Sequence, residues 1–236
     1  MSIDRSDAAR QLAEKLLWVR KEAEKIKGYV RGDEPIVVAL AIPRGGVIIG
    51  DIIASRLEAK LDLVVSRKIG APFNPEFAIG AVMPDGTCFL NEDTVKALQV
   101  PKEYIAAKAQ EQMKEIDRRL LLYRGRRNYD SELKGKIVIL VDDGIATGST
   151  IYAAAQWVKA QKCRQLVIAV PVGPKESIRM LKRIADIVVV MYAPESFGAV
   201  GEFYQDFSQV TDEEVRAIMR NYRYTMIDDH AETFTE

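Results

Sequence analysis

The 236-residue chain predicts an α/β fold, a Rossmann-like parallel sheet flanked by helices. Three observations carry that prediction. From residue 136 onward, apolar runs alternate with stretches of helical pattern, the order that builds parallel strands joined by crossover helices. Ile137 to Val141 is five consecutive apolar residues rich in β-branching, the composition of a strand buried on both faces. Glycine-rich turns follow two of the strands, at Pro43-Arg44-Gly45-Gly46 and at Gly144 to Gly148, in the topological place where open α/β sheets hold ligands.

The elements follow in order. Residues 6–27 carry Ala8, Leu12, Leu16, Val19, Ala23 and Ile26 at helical spacing, predicting one amphipathic helix. After Gly28 to Pro35, the run Ile36 to Ile42 reads as a first buried strand, followed by a helix through about Glu58 and a second strand from Leu61 to Val65. Ser66 to Gly86 is too rich in Gly and Pro for one regular element, although part could form a hairpin; such segments in compact domains are commonly lids. A helical insertion spans 91–125: a short helix after Asn91, then one from Pro101 to about Tyr123 with an inward stripe of Ile105, Ala109, Met113, Ile116 and Leu120. Beyond the strand at 137–141 come a helix over 150–162, a strand over 165–172, a helix over 175–184 opened by Pro174, and a strand over 186–192. Thr211-Asp-Glu-Glu214 forms a capping box for a last helix, with a tail to 236. No repeat, low-complexity run or linker interrupts the chain, so 1–236 reads as a single domain.

Composition excludes several classes. Lys plus Arg and Asp plus Glu stand at 34 each, not the charge footprint of a general nucleic-acid binder. No apolar stretch reaches membrane-spanning length and the polar N-terminus directs no export, so the expected location is cytoplasmic. Cys88 and Cys163 form no CxxC pair and read as packing residues; with His230 the one histidine, a structural zinc site or a His-based triad lacks its groups.

The most informative segment is Lys136 to Thr150, where the buried strand stops at two adjacent carboxylates, Asp142 and Asp143. The loop Gly144-Ile145-Ala146-Thr147-Gly148-Ser149-Thr150 then leads into an Ala-rich helix. Glycines permit close backbone approach, the first N–H groups of a helix are unpaired, and three hydroxyls add donors, which together make a phosphate cradle. It is not a Walker A loop, because Ser149 stands where that motif needs Lys and the glycines are one residue too close. Carboxylates repel phosphate, so Asp142 and Asp143 suit another part of the ligand. Acceptor-only groups match the adjacent hydroxyls of a ribose, which makes the ligand a ribose 5-phosphate moiety.

At this point Val138 to Thr150 closely resembles, without a gap, the 5-phosphoribosyl-1-pyrophosphate (PRPP) signature of type I phosphoribosyltransferases, in an incompletely characterised branch of that family. The resemblance implies the type I phosphoribosyltransferase fold, with Gly144 to Thr150 binding PRPP, Asp142 and Asp143 on its ribose hydroxyls and Thr147 to Thr150 on its 5-phosphate. It implies that Arg44, Gly45 and Gly46 bind pyrophosphate, with Arg67 and Lys68 beside it at the base of a catalytic lid over 66–86, so that Arg67, Lys68, Asp142 and Asp143 form the catalytic set. Tyr192, Glu195 and Phe197 occupy the place where family members hold a nucleobase. The implied reaction displaces pyrophosphate from the anomeric carbon with a nitrogen nucleophile. Mg²⁺ is the implied cofactor, held mainly by PRPP with Asp142 and Asp143 as the available protein ligands, and the family admits a homodimer. Arg124, Arg126 and Arg127 form the densest basic cluster and read as exposed surface. Phe203, Tyr204 and Phe207 read as packing for the C-terminal helix. Two rival readings keep the same ligand chemistry: a PRPP-sensing regulatory module that transfers nothing, and a phosphosugar hydrolase that recruits the acids.

Overall fold

The computed structural model describes residues 4–26, 35–129 and 133–222; the 28–34 connection, the tail beyond 222 and His230 lie outside the described residues. In chain order the elements are α1 (Arg5–Lys15), α2 (Leu17–Glu24), β1 (Val37–Ala41), α3 (Gly45–Leu57), β2 (Lys60–Leu63), β3 (Arg67–Ala71), β4 (Asn74–Val82), β5 (Cys88–Leu90), α4 (Glu92–Ala97), α5 (Lys102–Arg124), β6 (Ile137–Val141), α6 (Ser149–Ala160), β7 (Gln165–Val172), α7 (Lys175–Leu181), β8 (Ile187–Tyr192) and α8 (Asp212–Arg220), with a 3₁₀ turn at Val200–Phe203 before α8.

Five parallel strands in the order β2-β1-β6-β7-β8 make the central sheet. All five residues of β1 and of β6 are buried, as unbroken β-branched runs require in a sheet covered on both faces. β1 leads through α3 to β2 on one side, while β6 leads through α6 to β7 on the other. The chain thus diverges at neighbouring strands, and a crevice opens at their carboxyl ends. α5 and α8 pack on each other, and α8 also lies against α3. Among the described residues no helix is long and apolar enough to cross a membrane.

Two expectations need correction, and a third, the hairpin admitted within 66–86, is made specific. The helix expected over 6–27 is two helices. At Leu16 the backbone tightens to φ −104°, ψ −1°, with the Leu16 N–H bonded to Ala13 O at 3.0 Å and the Val19 N–H to Leu16 O at 2.8 Å. The offset lets Leu12, Leu16, Val19 and Ala23 all stay buried.

The segment 66–86 is more regular than its composition suggests. β3 and β4 pair antiparallel, with register shifts on either side of Gly70, and β5 adds a third strand. Its glycines serve close approach: a methyl on Gly70 would sit 2.3 Å from the Pro75 carbonyl oxygen, and one on Gly80 would sit 2.5 Å from that of Phe89. Ile69, Ala71, Ile79 and Val82 are buried, while Phe73 at the hairpin tip is fully exposed.

Arg124 is buried rather than superficial. Its guanidinium makes bonds of 2.6 and 2.8 Å to the two oxygens of Asp62, a third of 2.9 Å to Asn128 O, and lies 3.9 Å from the centre of the Tyr129 ring. The pair ties the end of α5 to β2, and a fork donor matched to a carboxylate is the arrangement that makes such burial tolerable.

Candidate active site

The two glycine-rich turns meet in the crevice. An N–H from Ile42, just past β1, bonds to Val141 O at the end of β6 at 2.9 Å, fixing the strand ends side by side. The Pro43–Arg44 peptide is cis. A methyl group on Gly46 would approach Val141 O to 2.9 Å and Asp142 Cα to 3.0 Å, and one on Gly45 would fall 1.8 Å from Asp143 Oδ2. These glycines therefore do more than turn the chain, because their missing side chains leave the space in which the acids sit.

Asp142 Oδ1 accepts the Asp143 backbone N–H at 2.8 Å. Asp143 Oδ2 accepts from Arg5 Nε at 2.9 Å, with the two side chains only 15% and 10% exposed. Arg5 also donates Nη1 to Ser208 O at 3.0 Å, and its guanidinium lies 4.2 Å from the Phe207 ring centre and 5.6 Å from that of Tyr204. The Tyr204 hydroxyl donates to the Asp143 carbonyl at 2.5 Å. Burial pushes the Asp142 carboxyl well above the ordinary carboxylate range, reinforced by the neighbouring charge of Asp143. Burial raises Asp143 as well, with Arg5 opposing it, and burial raises the Tyr204 phenol.

The following loop is anchored at its start and open at its end. The Ile145 N–H bonds to Val172 O at 2.9 Å with the side chain buried, and the Ser177 hydroxyl donates to Ala146 O at 2.8 Å. Gly148 adopts φ +79° as the residue preceding α6, a left-handed position that glycine fills without strain. Thr147 Oγ1 and Ser149 Oγ lie 3.0 Å apart, and Ala146, Thr147, Ser149 and Thr150 are exposed at the start of the helix. A cavity of about 510 Å³ adjoins the loop, lined by Ala146, Thr147, Glu176, Ser177, Met180 and Phe197 among others.

The basic residues have partners inside the chain. Arg44 Nη1 lies 3.3 Å from Asp212 Oδ1, which also accepts the Tyr123 hydroxyl at 2.6 Å. That hydroxyl bond and the nearby Arg44 hold the Asp212 carboxyl low, while burial together with Asp212 pushes the Tyr123 phenol up to about 12. Arg67 donates to Gln112 of α5 at 2.9 Å, and Lys68 to Glu76 of β4 at 2.6 Å.

The three acceptor candidates do not share one pocket. Phe197 borders the cavity beside the phosphate loop. Tyr192, 44% exposed, faces a separate cavity of about 130 Å³ with Lys15, Val172, Phe203 and Tyr204. Glu195 is exposed and paired with Lys175. The aromatics expected to pack on the last helix gather here instead: Phe203 touches Tyr192 and Phe197 at 5.5 and 5.4 Å between ring centres, and Phe207 stacks on Tyr204 at 5.3 Å.

Residues 9–207 match the family model described as a phosphoribosyl transferase domain. The chain belongs to the phosphoribosyltransferase family. This phosphoribosyltransferase domain is 39% identical over 216 residues to a Mycobacterium tuberculosis H37Rv protein provisionally named a phosphoribosyl transferase, with 92% of this chain covered. The match covers 46% of that relative, so the chain spans about half its length. Among solved structures it is similar to TT1426 from Thermus thermophilus, at 39% identity and a TM-score of 0.77, covering 95% of this chain and all of that one.

Two residues of the phosphoribosyltransferase crevice escape a reading of the motifs alone. Arg5 lies before the stretch that the family model matches, and its only sequence signal is indirect: two adjacent buried acids call for a cation from somewhere. Asp212 reads as the first residue of a capped helix, and nothing local points it at Arg44.

Proposed function

We infer that this chain transfers the 5-phosphoribosyl group of PRPP to a nitrogen nucleophile, most simply a nucleobase, with release of pyrophosphate. The observation that supports this best is the juxtaposition, at one divergence point of the sheet, of an acid pair, a hydroxyl-rich loop opening a helix, and an Arg-Gly-Gly turn. Thr147, Ser149, Thr150 and the backbone around Gly148 receive the 5-phosphate at the start of α6. Asp142, through its second oxygen, and Asp143, through Oδ1, accept from the ribose hydroxyls. Gly45, Gly46 and Arg44 receive pyrophosphate, Arg44 exchanging Asp212 for the ligand.

In the reaction the bond from the anomeric carbon to the pyrophosphate oxygen breaks, its electron pair leaving with pyrophosphate, and the nitrogen lone pair forms the new bond. The chain's part is to orient the sugar and spread the departing charge over fixed donors. The β3–β4 hairpin, with Arg67 and Lys68 at its base, serves as the lid that keeps water from the activated sugar.

Mg²⁺ fits this donor set in a limited way. Among the described residues no group of three or more His, Cys, Asp or Glu forms a cage, and one oxygen of Asp143 is taken by Arg5. An ion that keeps its waters and binds chiefly to phosphate oxygens, with one carboxylate at most from the acid pair, suits that arrangement. When bound it would neutralise charge on the leaving pyrophosphate.

The test is to incubate the protein with PRPP, Mg²⁺ and a panel of bases and amines and to measure liberated pyrophosphate. Release dependent on one acceptor supports transfer and names that acceptor. Tight PRPP binding with no release under any acceptor supports the sensing module instead, a reading favoured by the internal partners of Arg44, Arg67 and Lys68. Absence of PRPP binding overturns both.

A further inference from the structure

We propose that Arg5, at the start of α1, is a positioning residue of the PRPP site, which cancels one of the two charges of the acid pair so that a polyanion can dock against them. This rests on the PRPP reading above.

Asp142 and Asp143 are wanted as hydrogen-bond acceptors for hydroxyls, but as charges they oppose every phosphate of the same ligand. Two ionised carboxylates on adjacent residues at the buried end of β6 are also costly in themselves. The structure answers with a single cation. Arg5 Nε binds Asp143 Oδ2 at 2.9 Å, on the oxygen that lies where a Gly45 methyl would be, so that this oxygen is enclosed by Arg5 and the pyrophosphate turn. Oδ1 of Asp143 is left to accept.

The guanidinium is held from three directions: by the carboxylate, by Ser208 O at 3.0 Å, and by the Phe207 ring at 4.2 Å. A side chain only 10% exposed, with hydrogen bonds in two directions and an aromatic face against it, is built in place rather than resting on the surface. It also ties α1 to the Tyr204–Ser208 segment, whose tyrosine hydroxyl bonds to the Asp143 carbonyl, so the pair is gripped through side chain and backbone alike.

Charge and acceptor roles can be separated by mutation, because Asn in place of Asp143 loses the charge and keeps one oxygen, which can serve Arg5 or the ribose hydroxyl but not both, so the residue at position 5 decides which. Titration calorimetry of the full chain with PRPP, and separately with ribose 5-phosphate, is done on the wild type, Arg5→Met, Arg5→Lys, Asp143→Asn and the Arg5→Met/Asp143→Asn double variant. Arg5→Met is expected to weaken PRPP by about tenfold or more and ribose 5-phosphate, with fewer charges, by about threefold or less. Arg5→Lys restores most of the loss, and so does adding Asp143→Asn to Arg5→Met. Asp143→Asn alone loses affinity for both ligands, because Arg5 claims its one remaining oxygen, but by a smaller factor for PRPP, whose additional phosphates gain from the uncompensated guanidinium; this arm stands if Arg5→Met does not fold. Losses in Arg5→Met of the same factor for the two ligands, no recovery in the double variant, or a loss in Asp143→Asn as large for PRPP as for ribose 5-phosphate overturns the proposal while leaving the PRPP reading intact. A wild type that does not bind PRPP overturns both.

Discussion

Replacing Gly45 by Ala tests the contact between the two turns directly. The added carbon would lie 1.8 Å from Asp143 Oδ2 and 2.4 Å from its Cγ, whereas non-bonded heavy atoms rest near about 3.5 Å. Neither neighbour can give way cheaply, since Asp143 is pinned by Arg5 on its far side and Gly45 begins α3. The carboxylate must rotate out and abandon the 2.9 Å ion pair. Overpacking and the loss of a mostly buried pair together come to roughly 2–4 kcal/mol, which lowers the melting temperature by about 4–16 °C for a chain of this size. PRPP affinity, measured by calorimetry, falls by about tenfold or more, because one acid is displaced and its partner cation is released. Gly86→Ala is the control: its φ is +83° but nothing lies within 4 Å, so it loses only about 1–2 kcal/mol to left-handed strain and leaves PRPP affinity unchanged. A Gly45→Ala protein with the wild-type melting temperature and affinity would refute the reasoning, for it would mean that the turns are not in contact.

Asp142→Asn is expected to weaken PRPP binding while stabilising the fold. The folded carboxyl is raised, so Asp142 contributes stability below its unfolded value near about 4 and loses it as pH rises through the folded value. The variant should therefore melt close to wild type at pH 4 and higher than wild type at pH 7, and calorimetric scans at both pH values check the sign. For the same reason wild-type PRPP affinity falls on acidification, beginning above the ordinary carboxylate range. Arg44→Ala is expected to reduce pyrophosphate affinity more than that for ribose 5-phosphate; equal losses would remove Arg44 from the pyrophosphate site. Asp62→Ala strands a buried guanidinium and should lower urea-unfolding stability by about 3–5 kcal/mol, most of it regained in Asp62→Leu/Arg124→Met.

Much of this architecture is legible in the chain. Apolar runs such as Ile137–Val141 encode buried strands locally, and their carboxyl ends are marked by turn residues, so the crevice is found without knowing any contact. The capping box at Thr211 and Glu214 forms as written. Legibility fails where a residue's role depends on what arrives from far away in sequence. Gly70 and Gly80 look like breakers, yet they allow neighbouring backbone to come close inside a sheet. Arg124 sits in a basic run whose neighbours give no hint of Asp62, 62 residues earlier, and Arg5 meets Asp143 across 138 residues. The acceptor aromatics fail for the same reason: a motif ending Tyr192 to Phe197 says that rings are present, but their packing on Phe203 decides which cavity each one faces.

The two walls of the crevice belong to strands that pair residue for residue at a separation of one hundred, Val37 beside Ile137 and Ala41 beside Val141. No shorter fragment of the chain can hold both walls, and a nascent chain has no binding crevice until β6 has been synthesised and has docked on β1. The length of the intervening stretch is weakly constrained, since the entropy of closing a loop grows only with the logarithm of its length, about 0.6 kcal/mol for each doubling. A fold stitched this way can take insertions at exposed points of that stretch, such as the hairpin tip at Phe73, without changing how β1 meets β6, whereas α5 is tied to the sheet by the buried Arg124–Asp62 pair.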